Sequence, residues 1–196
     1  MLHGYWHDEP HGRPEFSRGR DLGRRVAKGR RYLEDLLQTT IRVFVPPHNA
    51  IGRQGLRAIA AEGLHLGGTA GLRSGWSPVS RRAWSEWSRL RQLRASGEVG
   101  VPWVLDLGDH REIPGNPVTP RSTCELHSAA FDAALRVDGV FCAATHYWEL
   151  QTSSTQPGQP PVGSQLDRLI ARVVKNPSVE WRSVGDVVTN PRHTLR

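Results

Sequence analysis

Cysteine, lysine and long apolar runs are all scarce in this sequence, and each scarcity excludes something. Two cysteines, Cys124 and Cys142, in 196 residues are too few and too plainly spaced for a disulfide scaffold or a cysteine-based zinc site. They read as two buried free thiols. No apolar run approaches the roughly 20 residues of a membrane span. The start, Met1-Leu2-His3-Gly4-Tyr5-Trp6-His7, has neither the basic nor the apolar region of an export signal, so the expectation is a soluble chain, cytoplasmic as it stands. Lys28 and Lys175 are the only lysines, so the formal charge of +7 is carried almost wholly by arginine. Such a balance attracts polyanions without specificity. The arginine pairs Arg24-Arg25, Arg30-Arg31 and Arg81-Arg82 are scattered, and no helix-turn-helix, zinc-finger or aromatic RNP pattern accompanies them. Specific nucleic-acid binding is therefore not expected, although a basic nucleic-acid-binding module stays open as an alternative.

What is present is patterned as alternating strands and helices, with no internal repeat. Leu22, Val26, Leu33, Leu36 and Leu37 recur at three- and four-residue spacing and predict a helix over residues 20–38, weakened by Gly23 and Gly29. Ile41 to Val45 is a β-branched and aromatic run stopped by Pro46-Pro47, which cannot continue a central strand. A short helix over 51–61 and a strand at 64–66 follow. The same logic predicts a helix over 81–95, carrying Trp84, Trp87, Leu90 and Leu93 at three-residue steps, and a strand over 101–107. Residues 110–121, with three prolines, read as a long binding loop. A helix over 124–137 leads to a strand at 140–144 buried on both faces. After a loop over 151–163, Ser164 and Asp167 form a capping box for a helix, and a strand over 179–182 and a turn over 184–188 close the chain. The expectation is one α/β domain over residues 1–190 with a tail at 191–196, and either an open parallel sheet or an incomplete (β/α) barrel satisfies the pattern.

Chemistry concentrates beyond predicted strand ends. His3 and His7 have an H-x-x-x-H spacing that brings two imidazoles to one metal ion when the segment turns. A third ligand is still needed, and Gly4 occupies the place of the glutamate in an H-E-x-x-H site. His48 and Asn49 follow Pro46-Pro47 and read either as hydrogen-bonding groups for a substrate or as the cap of the next helix. His146 ends an apolar strand, as a core histidine or as a reactive one. Tyr5, Trp6, Tyr147 and Trp148 are aromatic neighbours able to stack on a sugar ring or simply to pack. Asp106 and Asp109 read as strand-end residues. His11, His65, His110, His127 and His193 receive no role.

Taken in order, these segments resemble the polysaccharide deacetylase (NodB-like, carbohydrate esterase) superfamily, in a divergent branch with an H-G-Y-x-H motif. His3-Gly4-Tyr5-Trp6-His7 is similar to its histidine motif and Glu15-Phe16 to the acidic-aromatic pair that follows. Phe44-Val45-Pro46-Pro47-His48-Asn49 is similar to its groove-lining strand end, and Thr145-His146-Tyr147-Trp148 to the late motif carrying the acid. The resemblance implies an incomplete (β/α) barrel of the polysaccharide deacetylase type with its first strands missing, and a metal-dependent hydrolase of N- or O-acetyl groups on a glycan. It implies His3 and His7 as ligands of a divalent metal, zinc foremost, and His146 as general acid. Tyr5, Trp6, Pro46, Pro47, His48, Asn49, Tyr147 and Trp148 are implied as substrate-binding residues. The family also uses an Asp-Asp pair as ligand and base, and no Asp-Asp dipeptide occurs in this chain. That departure implies a truncated or inactive version, with a noncatalytic carbohydrate-binding remnant as the alternative. The family's loop arginine is likewise replaced, by the Val45-Pro46-Pro47 sequence.

Overall fold

A strand-helix-strand rhythm organises the chain in the computed structural model, which describes residues 1–5, 14–68, 81–98 and 100–190. Helix α1 (Leu22–Leu37) is followed by strand β1 (Val43–Phe44), α2 (Arg53–Ala61), β2 (His65–Gly67) and α3 (Arg81–Ala95). Then come β3 (Leu105–Asp106), β4 (Arg111–Ile113), β5 (Asn116–Pro117), α4 (Cys124–Arg136), β6 (Ala143–Ala144), α5 (Val162–Val174) and α6 (Val184–Thr189). Contacts divide the described residues into two compact units. The first lies within Met1–Arg91, Val104–Ile113 and Ser183–Thr194, the second within Gln92–Trp103 and Pro114–Arg182.

The first unit holds a four-stranded sheet in the order β1-β2-β4-β3. β1 pairs parallel with β2, and β2 parallel with β4, while β3 returns antiparallel beside β4. Leu2 adds a parallel bridge to Phe44 at the outer side of β1, with Leu2 N–H donating to Val43 O and Val45 N–H to Leu2 O, both at 2.8 Å. Each parallel step is spanned by a helix, as a parallel connection requires. The core is built where the apolar faces of α1 and α2 meet the sheet: Leu2, Phe16, Val26, Phe44, Ile59 and Leu66 are buried together. Phe16 packs on Phe44 with ring centroids 4.7 Å apart, and burial of each such ring contributes about 2 kcal/mol. Gly29 is a packing residue rather than a weakness of α1. A Cβ there would meet Leu2 Cδ1 at 3.2 Å, so its bareness lets the helix approach the Leu2 strand.

The second unit has a parallel pair, β5 with β6, and a cluster in which Val118, Phe131, Val162, Leu169 and Val173 are buried between α4 and α5. Thr123 caps α4 through its side chain, which accepts from Leu126 N–H at 3.1 Å.

Several sequence expectations need correction. The loop expected over 110–121 contains β4, a central strand, and β5; their brevity and three nearby prolines hide them. The strand expected over 101–107 contracts to β3, and the one over 179–182 does not form. β6 is not buried on both faces, since Ala143 and Ala144 are exposed. α5 begins before Ser164, with Pro161 at its N-cap. Leu36 and Leu37 are 62% and 56% exposed and Trp84 is 55% exposed, so the inner faces of α1 and α3 are narrower than their spacing suggests. Glu86 is buried on α3 instead, held by Arg89 at 3.4 Å. Both cysteines are free, and each is half-buried rather than buried.

Candidate functional site

The first group of predicted residues gathers where the Leu2 bridge and β1 end. His3 is exposed, and its Nδ1 lies 2.9 Å from the backbone carbonyl of Val45. A carbonyl only accepts, so Nδ1 carries the proton and the lone pair is left on Nε2, the tautomer that suits a metal ligand or a base. Gly4 follows at φ +68, and a Cβ there would sit 2.5 Å from Pro47 Cγ and 3.2 Å from Glu15 Oε2. Only glycine fits both the conformation and the space. Tyr5 N–H donates to Glu15 Oε2 at 3.0 Å, and Glu15 Oε1 pairs with Arg25 at 3.4 Å. The Glu15 side chain is wholly buried, so this carboxylate ties the His3-Gly4-Tyr5 turn to α1 from within. The Tyr5 ring lies against α1, with Lys28 Nζ 5.6 Å from its centroid.

Past β1 the chain makes a tight turn, Pro47–Asn49, closed by Asn49 N–H to Pro46 O and Ala50 N–H to Pro47 O, both at 3.1 Å. Pro46 and Pro47 are buried and frame the turn, whereas His48 and Asn49 are exposed. Both of the latter have positive φ, 54° and 51°, a left-handed conformation that costs a non-glycine residue about 1 kcal/mol or more. Asn49 does not cap α2, whose N-cap is Gly52. Trp6 and His7 lie outside the described residues, so His3, Tyr5, Pro46, Pro47, His48 and Asn49 are the members that the structure brings together here.

The second group, in the other unit, follows the carboxyl end of β6. His146 leads into a 3-10 turn, Tyr147–Glu149. The core-histidine reading of His146 is overturned, because its side chain is 51% exposed. Its Nδ1 lies 2.9 Å from Glu149 Oε2, and its ring stacks on Trp148 with centroids 4.4 Å apart and 21° between planes. Tyr147 and Trp148 are 80% and 62% exposed, and their own rings meet edge to face at 5.1 Å.

A third cluster escaped sequence reasoning. His110, buried, sits between two carboxylates, with Nδ1 2.7 Å from Asp109 Oδ1 and Nε2 3.2 Å from Glu112 Oε1. Burial alone pulls its pKa down, but the hydrogen bonds and charges of Glu112 and then Asp109 outweigh this and hold it above the ordinary histidine range. The signal was an alternation, Asp109-His110-Arg111-Glu112, placing His110 and Glu112 on one strand face, and the prolines beyond it obscured the strand. Nearby His65 is pushed down, chiefly by burial and then by the charge of Arg111. Its Nδ1 accepts from Arg111 N–H at 3.2 Å. Asp106 is engaged by Arg82 at 3.2 Å and by Gly108 N–H at 3.0 Å. They gather at the end of the sheet where β2 and β4 begin and antiparallel β3 finishes, the end opposite His3.

The fit of a divalent cation is partial. His3 has the tautomer of a ligand, yet among the described residues no three His, Cys, Asp or Glu side chains gather as a metal site. Among them too, no helix is long and apolar enough to cross a membrane. No family model, curated protein or solved structure matches the chain.

Proposed function

We propose that the chain is a polysaccharide-deacetylase-type hydrolase of N- or O-acetyl groups on a glycan, with a (β/α)-barrel-like winding. The observation that carries this reading is the placement of the two histidine motifs. His3 follows the Leu2 bridge and His146 follows β6, each immediately beyond the carboxyl end of a parallel strand within its own unit, where α/β folds collect their reactive groups. The winding is supported by strand order. From the Leu2 bridge through β1, β2 and β4, each parallel neighbour is the next parallel strand in the chain.

In this reading His3 and His7 hold a divalent cation, zinc foremost, which when bound polarises the acyl oxygen and acidifies a water molecule. The chain's own residues do the following. Glu15, through Tyr5 N–H, fixes the turn that presents His3. His48 and Asn49 offer polar groups from a rigid turn. His146, as imidazolium, gives its Nε2 proton to the leaving nitrogen or oxygen, a role worth about 100-fold or more in rate. Tyr147 supplies an exposed ring for a sugar face.

The test is acetate release from N-acetylglucosamine oligomers by the purified 196-residue protein, together with its zinc content. Turnover that falls at least about 100-fold in His146→Ala, together with zinc that is lost in His3→Ala, would establish the hydrolase. Binding of the oligomer without turnover would favour the noncatalytic carbohydrate-binding reading, which the exposed Tyr147 and Trp148 rings support on their own. Absence of both turnover and oligomer binding would overturn both.

A further inference from the structure

We infer that Glu149 is a positioning residue for His146, setting the imidazole tautomer so that Nε2 is the nitrogen that exchanges a proton with substrate. This rests on the proposed hydrolase only for its catalytic consequence; the tautomer itself follows from the geometry. A 3-10 turn brings side chains at i and i+3 into register, and the turn here is closed by Glu149 N–H donating to His146 O at 3.0 Å. The Glu149 carboxylate therefore lies beside the imidazole, with Oε2 2.9 Å from Nδ1. A carboxylate accepts only, so the neutral ring carries its proton on Nδ1, against the preference of a free imidazole for Nε2–H.

Trp148 completes the clamp. Its indole lies nearly parallel to the imidazole, 21° between planes at 4.4 Å, so one ring edge is held by charge and one ring face by stacking. Nε2 has no partner among the described residues, and the side chain is 51% exposed. The ring is thus oriented with its lone pair toward solvent. The proton balance is simple. The protonated ring loses the proton from Nε2, an N–H or O–H bond forms on the leaving group, and the ring returns to its neutral Nδ1–H form. Solvent water then restores the proton. Trp148 gives one face to the imidazole, so Tyr147, 80% exposed, is the more open of the two rings.

The experiment is long-range proton–nitrogen NMR of the His146 ring in the full chain, at a pH where the ring is neutral, with Glu149→Ala and Glu149→Gln as comparisons. The natural chain should show Nδ1–H. Alanine should return the ring to a majority of Nε2–H, whereas glutamine, whose carbonyl oxygen still accepts from Nδ1–H, should keep part of the Nδ1–H form. A natural chain already in the Nε2–H form, or an alanine variant with the natural tautomer, would overturn the proposal. Glu149 lies on an exposed turn, and far-UV circular dichroism checks that the variants fold; if either failed to fold, the tautomer of the natural chain would still decide.

Acetate release separates this proposal from the one it rests on. If the chain is active, Glu149→Ala should lower kcat about 10- to 100-fold, as removal of tautomer-fixing partners commonly does, with KM little changed. A tautomer shift in a chain that releases no acetate would uphold the role of Glu149 while refuting the hydrolase. Activity that needs His146 but is indifferent to Glu149 would refute the role of Glu149 and leave the hydrolase standing.

Discussion

Gly4 is the residue on which the His3 turn depends most directly. Its φ of +68 and the 2.5 Å separation a Cβ would have from Pro47 Cγ oppose any side chain twice, by conformation and by overlap. Gly4→Ala should destabilise the protein by about 2 kcal/mol, read as a lower urea midpoint. It should also weaken the His3 bond to Val45, read as faster exchange at the His3 ring. His110 makes a different prediction. Its raised pKa means that the folded state binds the proton more tightly than the unfolded chain does. The resulting stability is fully present below about pH 6.5, the ordinary histidine value, and is lost as pH rises through the higher folded value. His110→Gln should cost about 3 kcal/mol at the acid end of that window, where a buried ion pair loses one partner, and should flatten the dependence above it. Urea titrations of both proteins across this range check the sign through their difference, because His65 and His127, lowered chiefly by burial, titrate the other way in both proteins alike; a difference that grows as pH rises through the window would contradict it.

Helix α1 shows how an element is pinned by one charged side chain. Glu34 accepts from Ile41 N–H at 2.9 Å and from Arg30 at 3.0 Å, so it joins the helix to the segment leading into β1, and Arg30 in turn donates to Glu62 O beyond α2. The Ile41 backbone bond, then Arg30, lowers the Glu34 pKa. A lowered carboxylate stabilises the fold above its unfolded value, about 4.3, and that stability disappears as pH falls through the folded one. Glu34→Gln should cost about 1 kcal/mol near neutrality and nothing once both states are protonated, measured as thermal midpoints against pH. By contrast, Leu36→Lys should change stability by less than about 0.5 kcal/mol, because the side chain is exposed. Helices such as α1, α2, α3 and α4 were legible because a 3.6-residue period repeats several times within each. Strands of two or three residues offer no such repetition, and so β4 passed for loop although it is central to its sheet. The site was legible in the same uneven way. His3 stood out by its H-x-x-x-H spacing with His7, and His146 by its place after an apolar run. Glu149 did not, because a glutamate three residues from a histidine resembles ordinary surface charge until a 3-10 turn brings the two together. Glu15 was visible only as a motif partner, and its burial beneath Gly4 was not.

At the scale of the whole molecule, hydrophobic clusters with no residue in common hold separate parts of the described chain. One centres on Phe44 beneath the four-stranded sheet, another on Phe131 between α4 and α5. Each is fed by its own contacts: Phe16 against Phe44 at 4.7 Å, Phe141 against Phe131 at 5.6 Å, with Arg172 over the Phe131 ring and paired to Asp132 at 2.6 Å. Truncation of either phenylalanine to alanine should cost about 3–5 kcal/mol by loss of transfer energy and the cavity left behind. Because local stability follows local burial, the losses should fall in different places. Phe44→Ala should speed amide exchange in β1, β2 and α2, and Phe131→Ala in α4 and α5, with the other set retaining its protection. Native-state hydrogen exchange followed residue by residue distinguishes this from a single cooperative core, in which either truncation would lower protection across both sets alike. The same measurement bears on the chemistry. If the Phe131 cluster opens on its own, Phe131→Ala should disturb the His146–Glu149 turn after β6 while leaving the His3–Val45 bond intact, so the two histidine motifs would respond separately to damage in their own cores.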